Sequence, residues 1–330
     1  MFLTGDNLFI FSFKLVIELK NNKYLIFTIR SIIFFGIVFA LDFMIGKTLN
    51  YFYFKQESGL QYRTTYSMEK TKADLLVFGS SRANHHYQPE VFEEELKISY
   101  YNVGRDGNFI FYHYAVLKSV LKRYKPKVIV LDFVEKEFEK KQESYDRLSS
   151  LLPYYNSHPE IREIVEIKSP FEKIKLISNI YPYNSALLTI AVGNTKANKK
   201  RKQDNKGYIS LTNTFKEFNT PNKKITSNEL DTVKVNCFRS FLNDCISSGI
   251  KTIVVCSPYY NYSTQEDKSV LLAKEISVKK NISFYDFSKD TSFAEHAFLF
   301  ADRIHLNETG AKKFSHEVAN KILNTNSNYN

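Results

Sequence analysis

Three short stretches carry the residue types that make a hydroxyl reactive. Gly79-Ser80-Ser81-Arg82 sets a serine just after an apolar run. Gly104-Arg105-Asp106-Gly107-Asn108 is a glycine-bearing loop, and Asp302-Arg303-Ile304-His305 places a carboxylate three residues before an imidazole. A serine Oγ is a weak nucleophile at neutral pH until an adjacent imidazole takes its proton. The imidazole needs a carboxylate in turn, to fix its tautomer and stabilise its charged form. One tight turn can present Asp302 and His305 together toward Ser81. The backbone N–H groups of Ser81 and Gly107 would then hold the oxyanion of a tetrahedral intermediate, with glycine allowing close approach of the chain. Each fragment alone is weak, since Gly-Ser-Ser after a strand is also a helix-capping signal. Their combination at strand ends is far more specific.

The surrounding pattern supplies those strand ends. Compact apolar runs at 74–78, 98–103, 128–133, 252–256 and 282–287 read as strands. Helical patterns occupy 89–96, 112–124, 228–248 and 309–323, with Pro89 in a first turn and Gly249 as a C-cap. Continuous apolar strands separated by helices predict an α/β fold with a five-stranded parallel sheet covered on both faces, three layers in all. Ligands of such sheets gather at the carboxyl ends of the strands, where all three stretches fall. Between the third strand and the long helix lies an insertion, 135–226, far longer than an ordinary connection. It carries helical pieces near 161–167 and 185–192.

These residues resemble the SGNH/GDSL hydrolase superfamily over roughly 73–137 and 251–323. The family's Gly-Asp-Ser appears as Gly79-Ser80-Ser81, so Ser81 matches the nucleophile, and Gly107 matches the oxyanion glycine. Asp302-x-x-His305, followed by its helix, matches the last block. The resemblance implies a flavodoxin-like sheet and a serine esterase or acyltransferase that needs no cofactor. One block departs. Where the family has Gly-x-Asn-Asp after the third strand, this chain reads Phe133-Val134-Glu135-Lys136-Glu137. Another donor, Asn108 or Arg82, must serve, or activity is weak. Arg82 is also a candidate to bind a substrate carboxylate or phosphate, or else to pair with a carboxylate such as Asp132. The Gly-Ser-Ser-Arg variant with a membrane anchor is similar to a branch associated with acylation of cell-surface polymers. That implies an acylated carbohydrate substrate, with acetyl the first candidate, and a membrane acyltransferase partner. The alternative is a weak or inactive glycan-binding module of a surface-polymer system.

The anchor is read from 23–49, the most apolar stretch, interrupted only by Arg30 and Asp42 before Lys47. About 20 apolar residues span a bilayer as a helix, so Arg30 and Asp42 are expected near opposite interfaces, snorkelling outward. Lys14, Lys20, Lys23 and Arg30 precede the run, and the positive-inside rule puts the N-terminus in the cytoplasm and the rest outside. A second apolar run, 8–16, is too short to span and is expected at the interface. The chain thus divides into 1–57, anchor and juxtamembrane segment, and 58–330, the α/β domain.

The remaining features exclude more than they suggest. Of 330 residues, 46 are basic and 35 acidic, a formal charge of +11. Much of that excess is lysine in Lys/Asn-rich loops, including the run 196–206, which reads as a solvated face or a contact with anionic polymer or lipid. Cys237, Cys245 and Cys256 are too few for a disulfide framework and read as buried thiols. His85 and His86 would line the cleft or cap a helix, and His113 is structural. No ligand spacing supports a metal, and no phosphate-cradling, dinucleotide or nucleic-acid motif is present, so neither cofactor nor nucleic acid is expected.

Overall fold

The computed structural model describes residues 22–195, 204–216, 229–260 and 266–324. Strands β1 (Leu75–Phe78), β2 (Tyr100–Asn102), β3 (Val128–Asp132), β4 (Lys251–Cys256) and β5 (Ser283–Asp286) form one parallel sheet in the order β2-β1-β3-β4-β5. Side chains alternate across a strand, and β1 shows the consequence. Leu76 and Phe78 join one core cluster while Leu75 and Val77 join the other. β1 and β3 are buried along their whole length, so both faces must be covered by helices.

Helices meet that need. In chain order they are α1 (Lys23–Phe54), α2 (Gly59–Thr65), α3 (Ser81–His86), α4 (Pro89–Leu96), α5 (Ile110–Leu121), α6 (Gln142–Asp146), α7 (Arg162–Glu166), α8 (Glu172–Lys175), α9 (Leu187–Gly193), α10 (Thr232–Ser247), α11 (Lys268–Lys279), α12 (Thr291–Ala294) and α13 (Glu308–Asn324). Helices α5, α10 and α11 cover the first cluster, which the insertion joins through Leu148, Tyr154 and Ile164. Helices α4 and α13 cover the second through Phe92, Phe314 and Val318. Cys237, Cys245 and Cys256 are buried free thiols.

Several boundaries moved for physical reasons. Helix α5 starts at Ile110 rather than 112 because the Glu137 carboxylate, from beyond β3, accepts the Ile110 N–H at 2.7 Å. Helix α10 starts at Thr232, where Asp231 accepts from the Val233 N–H at 3.0 Å. Helix α11 has no counterpart among the expected elements. Its buried positions Val270, Ala273 and Ile276 are diluted by serine and lysine, and its start is set by Asp267 accepting from Ser269 and Val270. The apolar run 8–16, Lys14, Lys20, residue 228 and most of the basic run (196–203) lie outside the described residues.

Helix α1 is long and apolar enough to cross a membrane. Its 32 residues rise about 48 Å, well beyond a hydrocarbon core of about 30 Å. The surplus is packed. Asn50 donates to the Tyr183 hydroxyl at 2.7 Å, Asn194 donates to the Phe52 carbonyl at 2.9 Å, and Tyr53 is buried. Asp42 was expected to snorkel outward to water. Instead it accepts hydrogen bonds from Ser178, Asn179 and Ile180 of the insertion.

Gly79 ends β1 at φ +146°, and a Cβ there would lie 2.7 Å from the Ala83 Cβ and 2.8 Å from the Asp132 Cβ. Gly79→Ala is expected to cost about 1–3 kcal/mol, lowering the urea midpoint with little change in slope. An unchanged midpoint would show that the turn relaxes freely.

Candidate active site

Ser81 opens α3 directly beyond β1, and the chain can turn there because Gly79 takes a positive φ of +146°, open mainly to glycine. The three stretches converge. The Ser81 Oγ–H donates to His305 Nε2 at 2.7 Å, across 224 positions of sequence, and His305 Nδ1–H donates to Asp302 Oδ2 at 2.8 Å. An ionised carboxylate only accepts, so Asp302 fixes the proton on Nδ1 and leaves Nε2 free to take the serine proton. The other Asp302 oxygen accepts the backbone N–H of Ile304 and of His305, both at 2.9 Å. This is an aspartate closing a turn on its own backbone, and it explains the three-residue spacing. Burial works to raise the Asp302 pKa, but the bonds from the His305 ring and the two backbone N–H groups outweigh it and hold the carboxyl below its ordinary value.

The turn carrying the imidazole is fastened at both ends. Ala301 N–H donates to the His305 carbonyl at 2.8 Å. The Asn307 amide donates to the carbonyls of Phe298 and Phe300, and its own oxygen accepts the Gly310 N–H that starts α13. His86 adds a bond across the site. Its Nε2 accepts the Leu306 N–H at 3.0 Å, next to His305. Burial, followed by the nearby positive charge of Arg82, pushes the His86 pKa well down, so His86 is the neutral acceptor this bond requires. His85 presents its ring edge-on to His305 at 5.5 Å and bonds the Ile209 carbonyl through Nδ1 at 2.7 Å.

Beneath the nucleophile lies a buried polar plug. Arg82, a candidate substrate ligand by sequence, is only 2% exposed and turns inward. Its Nε sits 3.9 Å from Asp132 Oδ1, another nitrogen donates to the Ser257 carbonyl, and the guanidinium stacks 3.9 Å from the Tyr259 ring centre. Asp132, at the end of β3, also accepts from the Tyr87 hydroxyl at 2.6 Å and from Ser257. Substrate binding is thus not the role of Arg82; it ties α3 to the ends of β3 and β4. Burial raises the Asp132 pKa more than Arg82, Ser257 and Tyr87 lower it, the mark of a carboxylate that depends on its partners.

The oxyanion candidates fare differently. Gly107 sits at φ +66° in the loop after β2, and the Arg147 guanidinium of the insertion packs where its side chain would be. Asn108 is buried, and its amide donates to the Asp106 carbonyl at 3.1 Å while its oxygen accepts from Ser150, so it holds the loop's own turn. At the position after β3, Glu137 is spent capping α5 and the Glu135 N–H meets the Tyr259 hydroxyl at 3.3 Å. A cavity of about 410 Å³ opens on this side, lined by Arg105, Asp106, Asn108, Arg147 and Ser150 and reaching Tyr53 of α1.

Arg63, which the sequence did not single out, and Arg105 of the glycine loop, to which it gave no role, brace the site where α2 meets that loop. Arg63 of α2 donates to the Asn84 side chain and to the Gly207 carbonyl at 3.0 Å, and Asn84 donates to Asp106 at 2.7 Å. Arg105 donates to the Leu60 carbonyl at 2.7 Å and to Thr64 of α2. Only the proximity of α2 to the glycine loop reveals these pairings, and no local spacing announces it.

No protein-family model matches the chain, and no curated protein matches it in sequence. Sixteen chains of solved structures are similar, and two illustrate them. One is an acetyl xylan esterase, 14% identical, with a TM-score of 0.37 over 76% of this chain and 98% of that one. The other is a proposed acylhydrolase from Bacteroides fragilis, 12% identical, with a TM-score of 0.37 over 82% and 99%. Likeness at this level carries no functional weight; the chemistry rests on the side chains.

Breaking the plug from one side strands a buried carboxylate. Arg82→Met is expected to destabilise the fold by about 3–5 kcal/mol, and Arg82→Met with Asp132→Asn by clearly less, read from urea unfolding. Equal losses would mean that Arg82 and Asp132 are not energetically coupled.

Proposed function

We propose that the chain is a membrane-anchored serine esterase or acyltransferase, and the observation that carries this is the Ser81–His305–Asp302 relay at 2.7 and 2.8 Å. Ser81 Oγ attacks an ester carbonyl while Nε2 takes its proton. The resulting imidazolium is stabilised by Asp302 and then protonates the departing alkoxide. Water or a second hydroxyl, deprotonated by the same nitrogen, releases the acyl group. Backbone N–H groups of Ser81 and Gly107 are the proposed oxyanion donors. The cavity on the Gly107 side, with Asp106 and the two arginines at its edge, is the proposed seat of the alcohol portion. A small O-acyl group on a cell-surface carbohydrate, with acetyl first, is the substrate class that the Gly-Ser-Ser-Arg variant and the long apolar helix together support. A membrane acyltransferase partner belongs to the same reading, as does a catalytic body on the outer side.

The second reading, a weak or silent glycan-binding module, is favoured by one observation. The position after β3 offers Glu135 and Glu137 in place of an amide donor, and losing one such donor costs on the order of 100-fold or more in rate. A purely binding cleft, however, has no use for an imidazole whose tautomer is fixed and whose free nitrogen faces a serine.

A serine-reactive fluorophosphonate probe separates the two. Wild type is expected to label at Ser81, Ser81→Ala not at all, and Asp302→Asn more slowly by up to on the order of 10⁴-fold, since the wrong tautomer is then favoured. Labelling of Ser81→Ala at the wild-type rate, or none of wild type at high probe concentration, would remove the enzyme reading.

A further inference from the structure

The insertion does not hide all its apolar side chains. Phe171, Ile174 and Ile177 are 62%, 65% and 69% exposed. They recur every three residues through α8 and so share a face. The opposite side is Glu172, only 1% exposed, which accepts from the Ser169 hydroxyl at 2.8 Å and from Tyr181. The segment 169–181 is therefore a small hairpin held together by its polar side, with its apolar side outward. Scattered exposed apolar residues need no explanation, but three aligned along nearly two turns do.

Its neighbour explains them. Asp42 of α1 accepts four hydrogen bonds from this hairpin: the Ser178 hydroxyl at 2.5 Å, the Asn179 backbone N–H at 2.7 Å and amide at 3.0 Å, and the Ile180 N–H at 3.4 Å. Asn179 also presses against Gly46, where a Cβ would overlap it. The helix preceding Asp42, residues 23–41, rises roughly 28 Å, close to the thickness of a hydrocarbon core, with Arg30, about 10 Å from its start, carrying its guanidinium back toward the near interface. Asp42 and the hairpin thus stand at the edge of that core. A carboxylate there requires donors, and irregular backbone there requires acceptors. Each supplies what the other lacks, and the hairpin turns Phe171, Ile174 and Ile177 outward, with the exposed Lys173 beside them paired to Glu166 at 3.1 Å and long enough to carry its ammonium to the interface. Along α1 the same lipid-facing surface continues through Phe39, Phe43 and Met44, all exposed.

We propose that the 169–181 hairpin inserts Phe171, Ile174 and Ile177 into the acyl-chain region of the leaflet on the domain's side, beside α1. The occupant of this face is lipid, and the inference rests on α1 crossing the membrane. Two points of attachment replace one, so the catalytic body cannot swivel about the helix axis, and the cleft keeps one orientation to the bilayer.

The test uses the full chain in phosphatidylcholine vesicles. The three native cysteines are buried, so single introduced cysteines can carry an environment-sensitive nitrobenzoxadiazole dye. The positions are Ile174→Cys and Ile177→Cys, with Phe34→Cys in mid-α1 and Val278→Cys on exposed α11 as controls. Spin-labelled phosphatidylcholine is the quencher. Positions 174 and 177 are expected to be quenched several-fold more than 278, and more by a shallow label than by a deep one, with 34 showing the reverse depth preference. Quenching at 34 with 174 and 177 matching 278 would overturn the hairpin proposal and leave the anchor standing. No quenching at 34 would overturn the anchor itself. Self-quenching of the dye at 174 that grows with protein density, without lipid quenching, would assign the face to a second copy and equally overturn the proposal. None of these outcomes bears on fluorophosphonate labelling of Ser81, so the two readings fail separately.

Discussion

A hydrogen bond of 2.7 Å joins Ser81 and His305, which are separated by 224 positions in the chain. Everything that follows for function depends on holding that distance. Neither residue is rigid by itself, because Ser81 opens a helix of only six residues and His305 rides an exposed turn. Their relative position is instead inherited from the sheet. β1, β3 and β4 end at one edge, and from that edge Asp132 and Ser257 grip Arg82 while α3 carries Ser81 above them. On the other side, α13 packs on α4 and on α3's buried face through Phe314, Val318 and Ser315, whose hydroxyl donates to the His86 carbonyl and accepts the Gln88 N–H. The His86 ring then fastens the Leu306 N–H. Ser81 and His305 are thus two ends of one packed layer.

What could be read from the chain in advance follows from how local each signal is. β1 and β3 announced themselves because a parallel strand buried on both faces must be apolar without interruption. The Ser81–His305–Asp302 contact was legible because a serine at a strand end and an aspartate–histidine turn are residue types that pair, and because an aspartate closing a turn on its own backbone fixes the spacing to the histidine. α11 escaped because its apolar stripe is thin and its cap, Asp267, follows a stretch without periodic pattern. The start of α5 moved because its cap is Glu137, a residue 27 positions away.

Arg82 shows the limit of reading by adjacency. An arginine next to a nucleophile is chemically suited to bind an anionic substrate, and sequence weighs that role against a pairing with Asp132. The deciding fact is three-dimensional. In α3 the residue after Ser81 points about 100° away around the helix, which here means into the sheet edge, and the guanidinium lies against Asp132, the Ser257 carbonyl and the Tyr259 ring. Asp42 is the mirror case. Alone on an apolar helix it reads as a charge seeking water, but its partners come from an insertion that begins more than 90 residues later.

Helix α1 leads through residues 55–58 into α2, and α2 reaches the site twice, through Arg63 to Asn84 of α3 and through Thr64 to Arg105 of the glycine loop. Both arginines are buried, at 5% and 8% exposure, so neither contact is a loose surface pair worth little. A buried guanidinium deprived of its acceptors is costly, and the structure therefore resists any tilt of α2 that would break them. The same insertion that bonds Asp42 sends Arg147 against Gly107 and Ser150 toward Asn108. Helix α1, the insertion and the glycine loop form a closed circuit of contacts. A site built this way has its geometry set partly by its attachment to this long apolar helix, and removing residues 22–65 would take away the acceptors that Arg105 relies on.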